Sequence, residues 1–428
     1  MRIERIDWDG ADPAGLARRL RAMTPALGDV SAEVAAIVNR VRDGGDAALR
    51  ELCESFGEPV GESTLVDPEA VAAAPGLLEP PTREALRVAA ANIEAVARTE
   101  LETIAAPTVV ELEQGHRVEV RTEPVGAAGV YAPGGRATYP SSVLMAALPA
   151  RVAGVGRLAV VSPPGSSRRP SAPVLAACAI AGVQEVHAVG GAQAIAALAH
   201  GTETIAAVDV IAGPGNRYVT EAKRLVAGAV GIDGIAGPSE LLVVADGSAR
   251  AEWVALDVCA QAEHGDDSPL VVISPDAALL DRIAELVVEL ANERPSVAEA
   301  PLALIAAPGL ELSLSFADAY APEHLELAFA GADSAAARGR VAGCVFVGAG
   351  GATAFGDYAA GSNHVLPTGG AARFGGPLSP AAFMRRASVV SISAAAAAAL
   401  APPVSAIAAA EGFPVHGESA TARAEGGS

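Results

Sequence analysis

Apolar residues recur every three or four positions over residues 31–41 and 81–99, with charges between them, which predicts amphipathic helices in the first third of the chain. Residues 118–122 alternate apolar and polar like a strand, and a glycine- and proline-rich turn region follows at residues 126–135. Short apolar runs at residues 158–161, 185–189 and 208–212 then alternate with helical patterns near residues 173–181, 192–199 and 216–226. Beyond a glycine-rich hinge at residues 231–238 the alternation resumes. Strands are expected at residues 241–244, 270–273, 302–306 and 345–347, and helices over residues 251–264, 277–293 and 316–320, the last continuing past Pro322. Such alternation implies parallel sheets with right-handed crossovers, so the fold class is α/β. The C-terminal stretch is loosely alanine-helical and ends in a frayed Gly426-Gly427-Ser428.

Composition narrows the partners. The 428 residues are 51% apolar and 19% charged, enough for two or three domains with their own cores. A net charge of −20 leaves no basic patch to neutralise phosphates, which argues against a nucleic-acid partner. Lys223 is the only lysine, and with the heavy alanine and glycine load this reads as a compositional bias. Cys53, Cys178, Cys259 and Cys344 show no paired spacing, as expected of reduced core thiols in a cytoplasmic protein. The charged start Met1-Arg2-Ile3-Glu4-Arg5 lacks the pattern of a signal peptide, so none is expected. The apolar stretch at residues 391–410 is broken by Pro402-Pro403, so neither a spanning helix nor a membrane partner is expected.

Several segments carry candidate chemistry. Ala321-Pro322-Glu323-His324 places a carboxylate beside an imidazole at an expected helix start, whose partial positive charge would favour a neutral ring and an ionised acid. A neutral His324 can accept a proton and Glu323 can steer a water. The plainer alternative is a solvated Glu and a partly buried His. Gln261 and His264, three apart near a helix end, can point at one centre, or simply form a polar helix end. Asp357, in an expected turn-rich loop running to His364, and Glu411 with His416 could complete an oxygen and nitrogen metal site. Gly348-Ala349-Gly350-Gly351 lacks the third glycine of a dinucleotide fingerprint. The turns before Gln193 and Asn216 each end a strand and open a helix, a place for a pyrophosphate or an ordinary tight turn. His116, His187 and His200 read as structural, and Cys259 has no base beside it.

Taken in order, these segments resemble the histidinol dehydrogenase family. The runs that carry the resemblance are residues 129–135, 189–199, 212–216 and 234–240, then Gln261-Ala262-Glu263-His264-Gly265, residues 321–325, Gly356-Asp357-Tyr358, residues 362–368, and Glu411 with His416. The resemblance implies oxidation of L-histidinol through a retained aldehyde to L-histidine by two NAD+, the end of histidine biosynthesis. By position it implies zinc ligands Gln261, His264, Asp357 and His416, proton acceptors Glu323 and His324, further substrate contacts Ser239 and Glu411, and NAD contacts Tyr131, Gln193 and Asn216. The zinc ligands and His324 would also touch the substrate. The implied architecture is two incomplete Rossmann-like parallel-sheet units with N-terminal helices and a small C-terminal helical tail. Its parts are residues 1–25, a zinc and catalytic domain of residues 26–124 and 237–380, an NAD domain of residues 125–236, and residues 381–428 exchanged between the subunits of a homodimer.

Rival readings differ in chemistry. A paralogous zinc and NAD dehydrogenase would act on another small alcohol, such as a sulfonated diol. A zinc hydrolase would use Glu323 on a metal-bound water without NAD, which the turns at Gln193 and Asn216 disfavour. A non-catalytic metal binder would have no use for both Glu323 and His324.

Overall fold

The computed structural model describes residues 1–23, 28–58, 61, 63–134, 138–165 and 167–426; Gly135, Gly427 and Ser428, singled out above, lie outside the described residues. The chain opens with strand β1 (Arg2–Asp7) and helices α1 (Pro13–Arg21), α2 (Ser31–Ser55), α3 (Pro68–Ala73) and α4 (Pro80–Ile104). Strands β2 (Thr108–Glu111) and β3 (Arg117–Pro124) follow. A first alternating block runs through β4 (Ala127–Tyr131), α5 (Pro140–Ala153), β5 (Arg157–Ser162), α6 (Ala172–Ile180), β6 (Glu185–Ala188), α7 (Gly191–His200), β7 (Val210–Ala212), α8 (Arg217–Val226) and β8 (Gly231–Ile232). A second comprises β9 (Leu241–Ala245), α9 (Ala251–Ala262), β10 (Leu270–Ser274), α10 (Ala277–Glu293), β11 (Pro301–Ala306), α11 (Leu310–Tyr320), β12 (His324–Ala328), α12 (Ala332–Ala336), β13 (Cys344–Val347) and α13 (Thr353–Tyr358). The chain closes with β14 (Met384–Ser391), α14 (Ala394–Glu411) and α15 (Pro414–Glu425).

The chain forms two compact units, Met1–Arg98 with Gly126–Phe383, and Thr99–Val125 with Met384–Ser428. The first holds two parallel sheets, one ordered β1-β11-β10-β9-β12-β13 and the other β6-β5-β4-β7-β8. The α/β class with two incomplete Rossmann-like sheets is therefore the observed fold. Strand β9 reads Leu241-Leu242-Val243-Val244-Ala245 and is buried throughout, as a central parallel strand covered on both faces should be. The N-terminal segment is shared: β1 is an edge strand of the six-stranded sheet, while Val34, Ile37, Val41 and Leu49 of α2 pack with Ile195 and Leu198 of α7 against the five-stranded one. Charged residues at four of the six positions of β1 hide it from a hydrophobic pattern.

Three expectations are corrected. The helix anticipated past Pro322 is strand β12, paired between β9 and β13. Helix α11 stops at Tyr320 because Ala321 takes a left-handed φ of 49°, and Leu325 and Leu327 then alternate with His324 and Glu326, a two-residue period. The turn region at residues 126–135 begins with strand β4, whose small residues fit a close-packed sheet: a Cβ on Gly129 would meet Leu198 at 2.8 Å. Asp357 lies on the short helix α13 rather than in a loop.

The second unit has an antiparallel sheet ordered β14-β3-β2 and a pair of packed helices, α14 and α15. Pro402 and Pro403 do not break α14. They withdraw amide partners from the carbonyls of Ala398 and Ala399, both exposed, where water can take their place. Ser393 caps the helix start and Gly412, at φ 76°, ends it. Among the described helices α14 alone is long and apolar enough to cross a membrane by length and composition, and it packs on the polar α15.

Candidate active site

Glu323 and His324 are held by the two residues that precede β9. The Glu323 Oε2 accepts hydrogen bonds from the Ser239 hydroxyl at 2.5 Å and from the Glu240 amide at 2.7 Å. Gln261 Nε2 donates in turn to the Ser239 oxygen at 2.5 Å. The Glu323 carbonyl accepts from the Cys344 amide at 2.8 Å, and a Cβ on Gly343 would strike that carbonyl at 2.7 Å, so the approach of the two strand starts requires a glycine.

His324 is 2% exposed and its ring stacks on that of Phe346, with centroids 6.1 Å apart and planes inclined by 27°. Its Nδ1 stands 3.0 Å from the Glu240 carbonyl, which can only accept, so Nδ1 carries a proton and a neutral ring presents Nε2 as the base. That Nε2 lies 3.6 Å from Asp357 Oδ1. Burial disfavours the charged ring, but the carboxylates of Glu323 and Asp357 outweigh it and hold the His324 pKa well above the ordinary value. The expectation that a helix start keeps this ring neutral is thus overturned. The helix end that precedes it along the chain is the C-terminus of α11, and two carboxylates favour the cation.

Asp357 feels the same cluster from the other side. Burial raises its pKa, yet the attraction of nearby His324, with smaller contributions from His364 and His264, brings it below the usual carboxylate range. His364 donates from Nδ1 to the Asp357 carbonyl at 2.8 Å and fixes that turn. His264 lies one residue beyond the Glu263 C-cap of α9, exposed, and lines a cleft of about 630 Å³ with Ser239, Asp267 and Asn216.

The expected cofactor contacts stand beyond the carboxyl ends of the five-stranded sheet. Tyr131 ends β4, is buried, and accepts from the Gly191 amide at 3.2 Å; burial pushes its phenol up to about 12. Gln193 is buried in the first turn of α7. Asn216 caps α8, accepting from the amides of Tyr218 and Val219 at 3.0 and 3.2 Å. The sole lysine has a role here: buried Lys223 ion-pairs with Asp233 and donates to the Gly213 carbonyl at 3.1 Å, while Asp233 accepts from the Gly213 amide at 2.7 Å. This pins the turn before Asn216. Gly213 has φ 116°, and any Cβ would meet the Tyr131 carbonyl at 2.2 Å.

Comparison with known proteins fits this geometry. The model of the family described as histidinol dehydrogenase matches residues 21–424. A histidinol dehydrogenase of Rhodospirillum rubrum is 43% identical, with 98% of both chains covered. One from Pseudomonas aeruginosa is 41% identical over 95% of this chain and 97% of its own. The crystal structure of histidinol dehydrogenase from Elizabethkingia anophelis superposes with a TM-score of 0.90 at 30% identity, covering 99% of this chain and 98% of that one. The chain belongs to the histidinol dehydrogenase family. It is an NAD-dependent oxidoreductase of the CH–OH type.

For a histidinol dehydrogenase the zinc implied by the family needs donors. Gln261 fits best: its Oε1 is buried without a hydrogen-bond partner, while Nε2 is already committed to Ser239. An amide oxygen left bare in a core is costly unless something electropositive meets it. Gln261, His264 and Asp357 offer oxygen, nitrogen and oxygen donors suited to a borderline dication. No group of three His, Cys, Asp or Glu in metal-binding arrangement occurs among the described residues, so His264, Asp357 and His416 are not gathered around one centre within this chain. Glu411 and His416 belong to the second unit, at the end of α14 and the start of α15, and both are exposed. All four cysteines are free. Sequence reasoning passed over Glu240, whose backbone touches both Glu323 and His324, and Glu58, whose buried Oε2 lacks a partner. Glu58 carried no sequence signal; Glu240 lay inside the matched run at residues 234–240 but behind Ser239.

Proposed function

We propose that this enzyme oxidises L-histidinol to L-histidine by way of L-histidinaldehyde with two NAD+ and one zinc per subunit, closing histidine biosynthesis in the cytoplasm. The observation that carries the reading is the Glu323–His324 pair fixed on Ser239 and Glu240, beside the unpartnered Gln261 oxygen. Gln261, His264 and Asp357, with His416 from the exchanged C-terminal segment, would hold zinc, which would orient the substrate imidazole and amine, and NAD+ would accept hydride. With Asp357 engaged as a ligand, one of the two carboxylates that favour the charged His324 ring would be neutralised, leaving Nε2 free to accept a proton. His324 Nε2 takes the hydroxyl proton as the alcohol carbon is oxidised. Glu323, with Oε2 held by two donors, turns Oε1 to a water and deprotonates it as it adds to the aldehyde. After releasing its first proton His324 accepts a second from the hydrate. Tyr131, Gln193 and Asn216 hold the dinucleotide, and Ser239 and Glu411 contact the substrate.

The domain roles follow. Residues 26–124 and 237–380 carry zinc chemistry, residues 125–236 bind NAD, residues 1–25 support the former, and residues 381–428 complete the partner's site in a homodimer. A chain ending before Glu411 should lose activity with its α/β core intact, and full activity would contradict the exchange. The central test supplies purified protein with zinc, NAD+ and L-histidinol. Two NADH per histidine supports the reading. Absence of turnover in zinc-loaded protein that oxidises a sulfonated diol would replace it with the paralogue.

A further inference from the structure

Glu240 divides its contacts, its backbone meeting the catalytic pair and its side chain a separate buried cluster. Its amide donates to Glu323 Oε2 at 2.7 Å, and its carbonyl receives both the His324 amide at 3.2 Å and His324 Nδ1 at 3.0 Å. Behind the strand, the carboxylate is 1% exposed and accepts from the Gly369 amide. Arg21, the last residue of α1, reaches it at 3.8 Å, lies over the Tyr320 ring at 4.3 Å, and donates to the Tyr320 carbonyl. Tyr320 ends α11, three residues before Glu323. Arg21 thereby bridges the start of β9 to the lead-in of β12, the two segments that bear Ser239, Glu240, Glu323 and His324. Gly370, at φ 82°, admits it closely: a Cβ there would sit 3.0 Å from the guanidinium.

The cluster is expensive. Arg21 Nε is buried without a hydrogen-bond partner, and Glu240 Oε2 and the Tyr320 hydroxyl, close enough to perturb each other, are buried without a well-formed hydrogen bond. A buried ion pair rarely stabilises a fold better than apolar packing would, so a role in fixing geometry is the better account of its presence. We propose that Glu240 and Arg21 act as one positioning unit that sets Glu323 and His324 at their working distance from the substrate. Burial pushes the Glu240 carboxyl up to about 7, and the pull of Arg21 opposes that rise, so removing either charge releases the other.

This inference rests on the proposed oxidation of histidinol, and its test is a steady-state comparison in the full-length, zinc-loaded enzyme. Glu240→Gln keeps the size and an acceptor for Gly369. Its kcat is expected to fall about 10- to 100-fold, the scale on which a displaced group loses rate, with the KM for histidinol and the zinc content within about threefold. Arg21→Met should do the same, Arg21→Lys should recover part of the loss, and the double variant should be no slower than the slower single one. An unchanged kcat in Glu240→Gln, or losses that multiply in the double variant, would overturn it. Should Glu240→Gln fail to fold, the Arg21 pair of variants decides on the same criteria. A wild-type enzyme inactive on histidinol contradicts the substrate reading alone, and the same kcat comparison is then made on the alcohol it does oxidise.

Discussion

The five-stranded sheet presents Tyr131, Gln193 and Asn216 beyond the carboxyl ends of β4, β6 and β7, whereas the six-stranded sheet presents Ser239, Glu240, Glu323 and His324 at the amino ends of β9 and β12. The ends differ in electrostatics. Carboxyl ends lead into helix N-termini, here those of α7 and α8, whose free amides and partial positive charge suit an anion such as a pyrophosphate. Amino ends receive helix C-termini, here those of α9, α11 and α13, whose carbonyls suit cations and protons. One cleft of about 630 Å³ is lined from both, by Asn216 on one side and Ser239 and His264 on the other. Under this division of the proposed sites, the placement at carboxyl ends that open α/β sheets commonly use would hold for one sheet only.

If the ends divide the work in this way, variants should separate by kinetic parameter. His324→Ala removes the proposed proton acceptor and should lower kcat about 10²- to 10⁴-fold with little change in the KM for NAD+, which steady-state kinetics with NAD+ varied will measure. Asn216→Ala should do the reverse, raising the KM for NAD+ about tenfold and leaving kcat near that of the wild type. A dominant kcat loss there would place Asn216 with the catalytic group. The smallest effect concerns stability. Asp257 on α9 and Glu326 on β12 line one cavity, and burial pushes Asp257 up to about 6. A carboxyl raised on folding opposes folding once ionised, so its cost is absent below the unfolded value near 4 and complete above about 6. Asp257→Asn should therefore raise the melting temperature at pH 8 by a few degrees, about 1–2 kcal/mol after discounting for partial exposure, with the gain fading by pH 4. A gain equal at both pH values would show that packing, not charge, was relieved.

The carboxyl-end sheet was the more legible in sequence, because its strands are short apolar runs and its turns are marked by glycines with positive φ, Gly191 and Gly213. The amino-end site was harder. Proline followed by Leu325, Leu327 and Phe329 mimics a helix start, and the alternation that betrays β12 spans only five residues. The helix-dipole argument consequently had the wrong sign for His324. Gln261 and His264 were rightly placed near one helix end, but the bare Gln261 oxygen is a property of packing that no spacing reveals. Arg21 and Glu240 lie 219 positions apart, and only the fold brings them together.

The central claim is that one carbon is oxidised twice and that only the second oxidation needs Glu323 to activate water. Single-turnover NADH formation by Glu323→Gln with excess L-histidinol and NAD+ tests it directly. The expected result is a first equivalent of NADH per site at nearly the wild-type rate and a second slowed about 10²-fold or more. Equal slowing of both equivalents would contradict it.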